Sequence, residues 1–258
     1  MIARDRDRSA EAVWDAYARF FVLEEGTVYP EDRREMEFYR TIRDLLPGRC
    51  LELGAGAGRL ARALLGERGI TVGLEPSAAM LDLWRSGDIR LSGRVRGRAE
   101  ELPFDSSVFD LVVFPYNGLQ CITDRGCRLD ALREAARVLS PGGRLILEIC
   151  PFFGTRPLER DRHRYTFQGR EMTVTLFESI GRDQDRGVTI YDMRYRVEGE
   201  PEARIVLEVS IIEPEQLSSD ISLCGMSTIS TWGDYDMRPY VRGTSPRLIL
   251  AASVPDPS

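Results

Sequence analysis

The segment Leu51-Glu52-Leu53-Gly54-Ala55-Gly56-Ala57-Gly58-Arg59 joins a short apolar run to a helical one through closely spaced glycines. Glycine has no Cβ, so a strand that ends in such a loop and opens a helix lets a ligand approach the backbone. A GxGxxG dinucleotide loop needs glycine or alanine at position 59, where this chain has Arg59. Glu52 lies just before the first glycine, where a carboxylate is awkward for a pyrophosphate and suits a ligand carrying an ammonium group. A glycine-rich turn without a ligand is the alternative. Further along, Gly73-Leu74-Glu75-Pro76 puts a carboxylate at the end of the next apolar run. A carboxylate so placed can accept hydrogen bonds from both hydroxyls of a ribose.

Other reactive residues are sparse. The chain has one histidine, His163, inside Glu159-Arg160-Asp161-Arg162-His163-Arg164. Its charged neighbours suggest a solvated stretch; a general base is the other reading. With one histidine, a His-rich metal site and any two-histidine mechanism are excluded. The 5 cysteines include no CxxC pair, which points to reduced thiols and away from a disulfide framework or zinc site. No distinctive carboxylate cluster suggests a divalent cation, so no metal is expected.

These residues need elements to position them. Apolar residues at helical spacing predict helices over 9–23 and 31–46. From residue 50 the rhythm alternates. Strands are expected at 50–53, 70–74, 95–98, 109–114 and 144–150, with helices at 59–65, 77–85 and 129–139. Such alternation implies a parallel sheet with helices on both faces. After Pro151 the pattern turns to antiparallel strands at 165–180, 187–197 and 203–212. A helix over 215–223 and strands at 227–232 and 247–252 close the chain. The expected organisation is an N-terminal helical segment at 1–47, an α/β core at 48–151 and 213–258, and a β-rich insertion at 152–212.

Four blocks follow one another in order: LELGAGAGR, GLEPSAAM, GRAEELPFDSSVFDLVV and ARVLSPGGRLILEI, within residues 48–150. Together they resemble the class I S-adenosylmethionine-dependent methyltransferases. The resemblance implies a Rossmann-like fold: a mostly parallel seven-stranded sheet with helices on both faces, the insertion forming a lid or an interface. It implies S-adenosylmethionine as cofactor and S-adenosylhomocysteine as its product. Glu52 would reach the methionine end, and Gly54, Ala55, Gly56 and Gly58 would let the backbone wrap it. Glu75 would hold the ribose hydroxyls. Pro76 and Met80 would pack on the adenine, and Ala99 and Glu100 would meet its edge. Phe114, Pro115 and Tyr116 would lie beside the methionine and the reactive methyl. Arg98 departs from the family, many members of which carry an acidic residue there.

By layout the chain is similar to glycine, sarcosine and deoxyaminosugar N-methyltransferases. In that group an N-terminal helix lies over the cofactor, which makes Tyr17 and Tyr29 candidates for the methionine carboxylate or the reacting methyl. Trp14, Phe20 and Phe21 read as core. The segment after 114 is where polar acceptor contacts are expected, so Tyr116 and Asn117 join Tyr17 and His163 as candidate catalytic residues. Asn117 could instead cap the helix that follows.

The composition bounds the partners. The 258 residues are 43% hydrophobic and 29% charged, with a formal net charge of −6. That balance fits a globular domain and argues against a nucleic-acid-binding surface. No apolar run is long enough for a membrane helix, and the N-terminus lacks the apolar stretch of a signal peptide, so a cytoplasmic protein is expected. The expected activity is methylation of a nitrogen or oxygen of a small metabolite, such as a natural-product intermediate. The alternatives are a cyclase of the same fold that binds S-adenosylmethionine without consuming it, and a cofactor sensor. Exposed strands can pair across subunits, which leaves a homodimer open.

Overall fold

The computed structural model describes residues 3–24, 32–64, 69–84, 91–168 and 172–255. They fall into two compact units: Met1–Glu31 with Phe152–Ile211, and Asp32–Pro151 with Ile212–Ser258. The division at Glu31 runs through the segment 1–47.

The larger unit carries α2 (Arg33–Leu45), β1 (Arg49–Leu53), α3 (Arg59–Ala63), β2 (Ile70–Glu75), α4 (Ala78–Asp82) and β3 (Leu91–Arg96). It continues with β4 (Phe109–Phe114), α5 (Arg125–Val138), β5 (Leu139–Ile149), α6 (Pro214–Leu223), β10 (Ser227–Trp232) and β11 (Leu248–Ser253). Its 7 strands form one sheet in the order β10-β11-β5-β4-β1-β2-β3. β5, β4, β1, β2 and β3 run parallel, and β11 is antiparallel to both β5 and β10. The expected mostly parallel sheet is therefore present.

Strand residues alternate between faces, and each face is buried under helices. Leu51, Leu53, Val112, Phe114, Leu145, Leu147 and Ile149 pack with α5 and α6 through Ala131, Leu132, Leu217 and Ile221. Cys50, Leu111, Val113 and Ile146 pack with α2 and α3 through Met36, Phe38, Tyr39, Ile42 and Leu60. Capping fixes where helices begin. Asp32 accepts the Arg34 amide at 2.9 Å, Ser77 the Met80 amide at 3.1 Å and Asp124 the Cys127 amide at 3.0 Å. The Asp124 cap explains why α5 starts at Arg125 rather than at 129. β5 already begins at Leu139: it pairs there with Phe109, then bulges through Pro141-Gly142-Gly143 before pairing Arg144 with Leu111.

The smaller unit holds α1 (Ala3–Glu24), β6 (Glu159–Gln168), β7 (Thr173–Asp183), β8 (Val188–Val197) and β9 (Ala203–Ser210). Its strands form an antiparallel sheet in the order β6-β7-β8-β9. The stretch expected as one strand at 165–180 is instead a hairpin, with Thr166 opposite Thr175 and Gln168 opposite Thr173. The β-branched and aromatic residues on both sides of the turn hid the reversal. Phe20 of α1 is core, as expected, and stacks on Tyr195 with ring centroids 3.8 Å apart. Glu24, buried, accepts hydrogen bonds from the hydroxyls of Tyr17, Tyr165 and Tyr195. No described helix is long and apolar enough to cross a membrane.

Trp84 sets how closely the glycine loop meets β2. A Cβ on Gly58 would lie 2.5 Å from its ring, and one on Gly73 would lie 2.4 Å from it. Replacing Gly73 by Ala is expected to displace Trp84 and cost about 1–3 kcal/mol, the usual range for overpacking. Urea denaturation of the variant measures it; unchanged stability would show that Trp84 is not confined there.

Candidate functional site

The carboxyl ends of parallel strands, where loops leave the sheet, are the natural place for a site. After β1 the chain turns through Gly54 at φ +68° and Gly56 at φ +54°. Both angles lie in the left-handed region that glycine enters without a Cβ penalty. The Ala55 amide donates to the Leu74 carbonyl at 3.0 Å, which ties the loop to the end of β2. Glu75, the last residue of β2, completes the tie. Its Oε2 accepts the Gly56 amide at 2.9 Å and its Oε1 the Ser77 amide at 3.0 Å. The carboxylate thus joins the loop after β1 to the loop after β2. Met80 is buried beside the glycine loop, its methyl 3.3 Å from where a Gly56 Cβ would lie. Pro76 accepts the Arg96 side chain through its carbonyl at 3.2 Å.

The segment carrying Ala99 and Glu100 is held from α5. Glu134 accepts the Leu102 amide at 2.8 Å, and Arg137 donates to the carbonyls of Leu102 and Phe104. Ala99 is buried, and Glu100 pairs with Arg98 at 3.2 Å. That ion pair supplies a structural reason for an arginine at position 98.

Phe114 and Pro115 are buried at the end of β4. Tyr116, 62% exposed, and Asn117 follow with φ of +50° and +63°. Asn117 does not cap the 3-10 turn Gly118–Cys121, so the expected capping role fails. Its Oδ1 is buried and accepts no hydrogen bond.

Sequence reasoning missed two groups on the α2 face of the sheet. Arg59 makes a bidentate pair with the buried Glu35 of α2 at 2.7 and 2.8 Å. Desolvation opposes the guanidinium charge, yet the Glu35 hydrogen bonds and charge, with Glu52, raise its pKa. The pair explains why the glycine loop ends in arginine. Glu52, beside it on β1, is 2% exposed. The second group is Glu148 near the end of β5. It accepts the Tyr235 hydroxyl at 3.0 and 3.2 Å and the Tyr116 amide at 3.4 Å, with Arg247 3.8 Å away. The Arg247 guanidinium lies 3.8 Å from the Tyr235 ring centroid. Burial pushes the Glu148 carboxyl up to about 7; Arg247 opposes the rise and Glu35 adds to it. An acidic residue inside the apolar run Leu145-Ile146-Leu147-Glu148-Ile149 was the available signal.

The remaining candidates belong to the smaller unit or to residues that are not described. Tyr17 is in the smaller unit, bonded to Glu24 and edge-on to Trp14 and Phe21. His163 is exposed on β6 of that unit, its Nε2 2.9 Å from the Thr166 hydroxyl. Tyr29 lies outside the described residues. Among the described residues no group of His, Cys, Asp and Glu could hold a metal ion, and the five cysteines are free.

Residues 51–147 match the family model described as "Methyltransferase domain". Ubiquinone/menaquinone biosynthesis C-methyltransferase UbiE of Vibrio vulnificus (strain YJ016) is 36% identical over 150 residues, 54% of this chain and 54% of that protein. Demethylmenaquinone methyltransferase of Clavibacter sepedonicus is 32% identical over 144 residues, 55% of this chain and 56% of that one. The chain thus spans about half the length of the curated relatives it matches. Among solved structures, the CcbJ methyltransferase from Streptomyces caelestis superposes with TM-score 0.78 at 19% identity, covering 94% of this chain and 98% of that one. The sugar N-methyltransferase KedS8 from Streptoalloteichus sp ATCC 53650 gives TM-score 0.73 at 19% identity, with 92% of each chain covered. At such identities the likeness is one of fold.

A carboxyl raised from its ordinary value of 4.5 to about 7 binds more protons in the folded than in the unfolded protein. Its contribution is therefore fully present below about 4.5 and lost as pH rises through about 7. The loss amounts to roughly 3 kcal/mol. Urea denaturation across this range is expected to show that decline in the wild type and its absence in Glu148→Gln. Parallel pH profiles would remove Glu148 as the source.

Proposed function

We propose, on the premise that residues 51–147 form a methyltransferase domain of the class I S-adenosylmethionine-dependent type, that the protein transfers a methyl group from S-adenosylmethionine. The acceptor is a nitrogen or oxygen of a small metabolite, a natural-product intermediate. The observation that carries the reading is the Glu75 clamp, which holds a left-handed glycine loop at the carboxyl edge of the sheet within the matched segment.

The residues present fit the cofactor. Gly54, Gly56 and Gly58 carry no side chain where the chain turns, so a ligand can approach the backbone closely there. Glu52 and Glu75 supply carboxylates at the ends of adjacent strands, suited to an ammonium group and to ribose hydroxyls. Met80 and Pro76 offer an apolar wall for a base, and the Ala99–Glu100 segment its edge. Phe114 and Pro115 close the side toward β4. When bound, the cofactor supplies an electrophilic methyl on a sulfonium. The protein's part is alignment, which by itself can be worth about 7–11 kcal/mol. An amine acceptor needs only to lose its proton before attack, whereas a hydroxyl needs a base within about 3 Å. Tyr116 and Asn117, next along the chain from the cofactor wall, are the proposed acceptor contacts.

Two kinds of relative support different acceptor atoms. The UbiE match carries the name C-methyltransferase but covers half the chain. The structures alike over most of the chain include a sugar N-methyltransferase and an amino pentose methyltransferase, CalS10 from Micromonospora echinaspora, involved in calicheamicin biosynthesis. Likeness over both sheets favours nitrogen on a small metabolite. Carbon methylation of a quinone-type ring is the second reading, supported by the 36% identity over 150 residues.

Calorimetric titration is expected to show binding of both S-adenosylmethionine and S-adenosylhomocysteine. Glu75→Ala should weaken it by about 1–3 kcal/mol, the cost of leaving buried donors unmet. With an acceptor present, S-adenosylhomocysteine should form in step with methylated product. Turnover without it would identify a cyclase, and no binding at all would sink the proposal.

A further inference from the structure

The turn after β4 is held from β5. Phe114 pairs with Leu147, the last register position between the two strands. One residue on, the backbone leaves the sheet, and the Tyr116 amide has no strand partner. The Glu148 side chain meets it instead, at 3.4 Å. Gln120 adds a second tie to β5: its Oε1 accepts the Cys150 amide at 2.7 Å and its Nε2 donates to the Cys150 carbonyl at 3.2 Å. Between these ties lie Tyr116 and Asn117, consecutive residues with left-handed φ. Such residues cost free energy and persist only where the surroundings over-determine them. The result is the buried Asn117 Oδ1 that accepts no hydrogen bond, beside an exposed Tyr116 ring with the Arg59 guanidinium 5.7 Å from its centroid.

We propose that Glu148 is a positioning residue: its carboxylate, anchored by Tyr235, holds the Tyr116–Asn117 turn, the proposed acceptor contact, in its left-handed conformation, and its protonation releases that turn. The consequence for methyl transfer rests on the function proposed above; the hold on the turn does not. An ionised carboxylate accepts from an amide more strongly than a neutral acid does. Other groups facing Glu148 are Tyr235 and Arg247 beside β11, with Asp234 paired to Arg247 at 3.4 Å. Glu35 and Tyr39 face it from α2, and Glu52 lies on the same face from β1. Arg59 is already committed to Glu35. The Tyr39 hydroxyl is fully buried without a hydrogen-bond partner, so it does not compete for the Glu148 oxygens.

The test is a pH titration of the full, nitrogen-15-labelled chain by NMR, reading the Tyr116 and Asn117 amides. In the wild type the Tyr116 amide should move downfield as pH rises, with a midpoint at about 7. Glu148→Gln keeps the size of the side chain and should abolish that titration. Tyr235→Phe, which removes a bond favouring the charged form, should move the midpoint upward. Once an acceptor is known, the acid limb of kcat should be present in the wild type and missing in Glu148→Gln, with KM for S-adenosylmethionine unchanged. A Tyr116 amide that stays still across the range, or titrates equally in Glu148→Gln, overturns the proposal. Parallel calorimetry with S-adenosylhomocysteine separates the two claims. Titration of Tyr116 without cofactor binding leaves the hold on the turn standing and removes the methyltransferase reading. Binding without that titration removes the positioning role alone.

Discussion

The bridge from Glu75 to the amides of Gly56 and Ser77 is the interaction on which the site depends. Parallel strands end with their last amides and carbonyls unpaired, so the loops beyond them need other partners. Here one carboxylate serves two loops at once. It fixes the glycine turn after β1 against the start of α4 after β2, and Ser77 then caps α4 through its hydroxyl. A charged acceptor is stronger than a neutral one, which suits a buried position. The clamp also leaves glycine little choice: a side chain at Gly56 would press on Met80.

A second theme is the concentration of buried charge on the α2 face. Glu35, Glu52 and Glu148 are each less than a tenth exposed. Burying a carboxylate is costly unless it is paired or protonated. Each is treated differently. Glu35 receives both arms of the Arg59 guanidinium, a geometry that matches a carboxylate well. Glu52 adds to the field at Arg59. Glu148 has hydrogen bonds from Tyr235 and Tyr116 but only a distant guanidinium, so burial wins and its proton is held more tightly.

Some of this was readable and some was not. The apolar runs Phe109–Phe114 and Leu145–Ile149 announce buried parallel strands in their own residues. The stretch 165–180 does not announce its reversal, because strand-favouring residues flank the turn on both sides and local preference cannot tell one long strand from a hairpin. Arg98 looked like a departure from a pattern; its ion pair with Glu100 accounts for it. Arg59 looked like a broken fingerprint; its partner Glu35 lies in a helix that sequence periodicity predicted without hinting at the pairing. Asn117, read as an acceptor contact or a cap, turned out not to cap.

The sequence by itself determined the alternation of strands and helices, the glycine loop and the carboxylate at the end of β2. Those features are local: periodicity, missing side chains and a charge at a strand end are written in consecutive residues. Only the tertiary structure decided that Glu148 meets the Tyr116 amide, that Arg59 closes on Glu35, and that Glu75 spends its oxygens on two loop amides. Those contacts join residues separated by 32, 24 and 19 positions in the first, second and Gly56 cases. Their partners are chosen by the sheet's register and by which face a residue occupies, and both are set by how the strands pair, not by the chain near each residue.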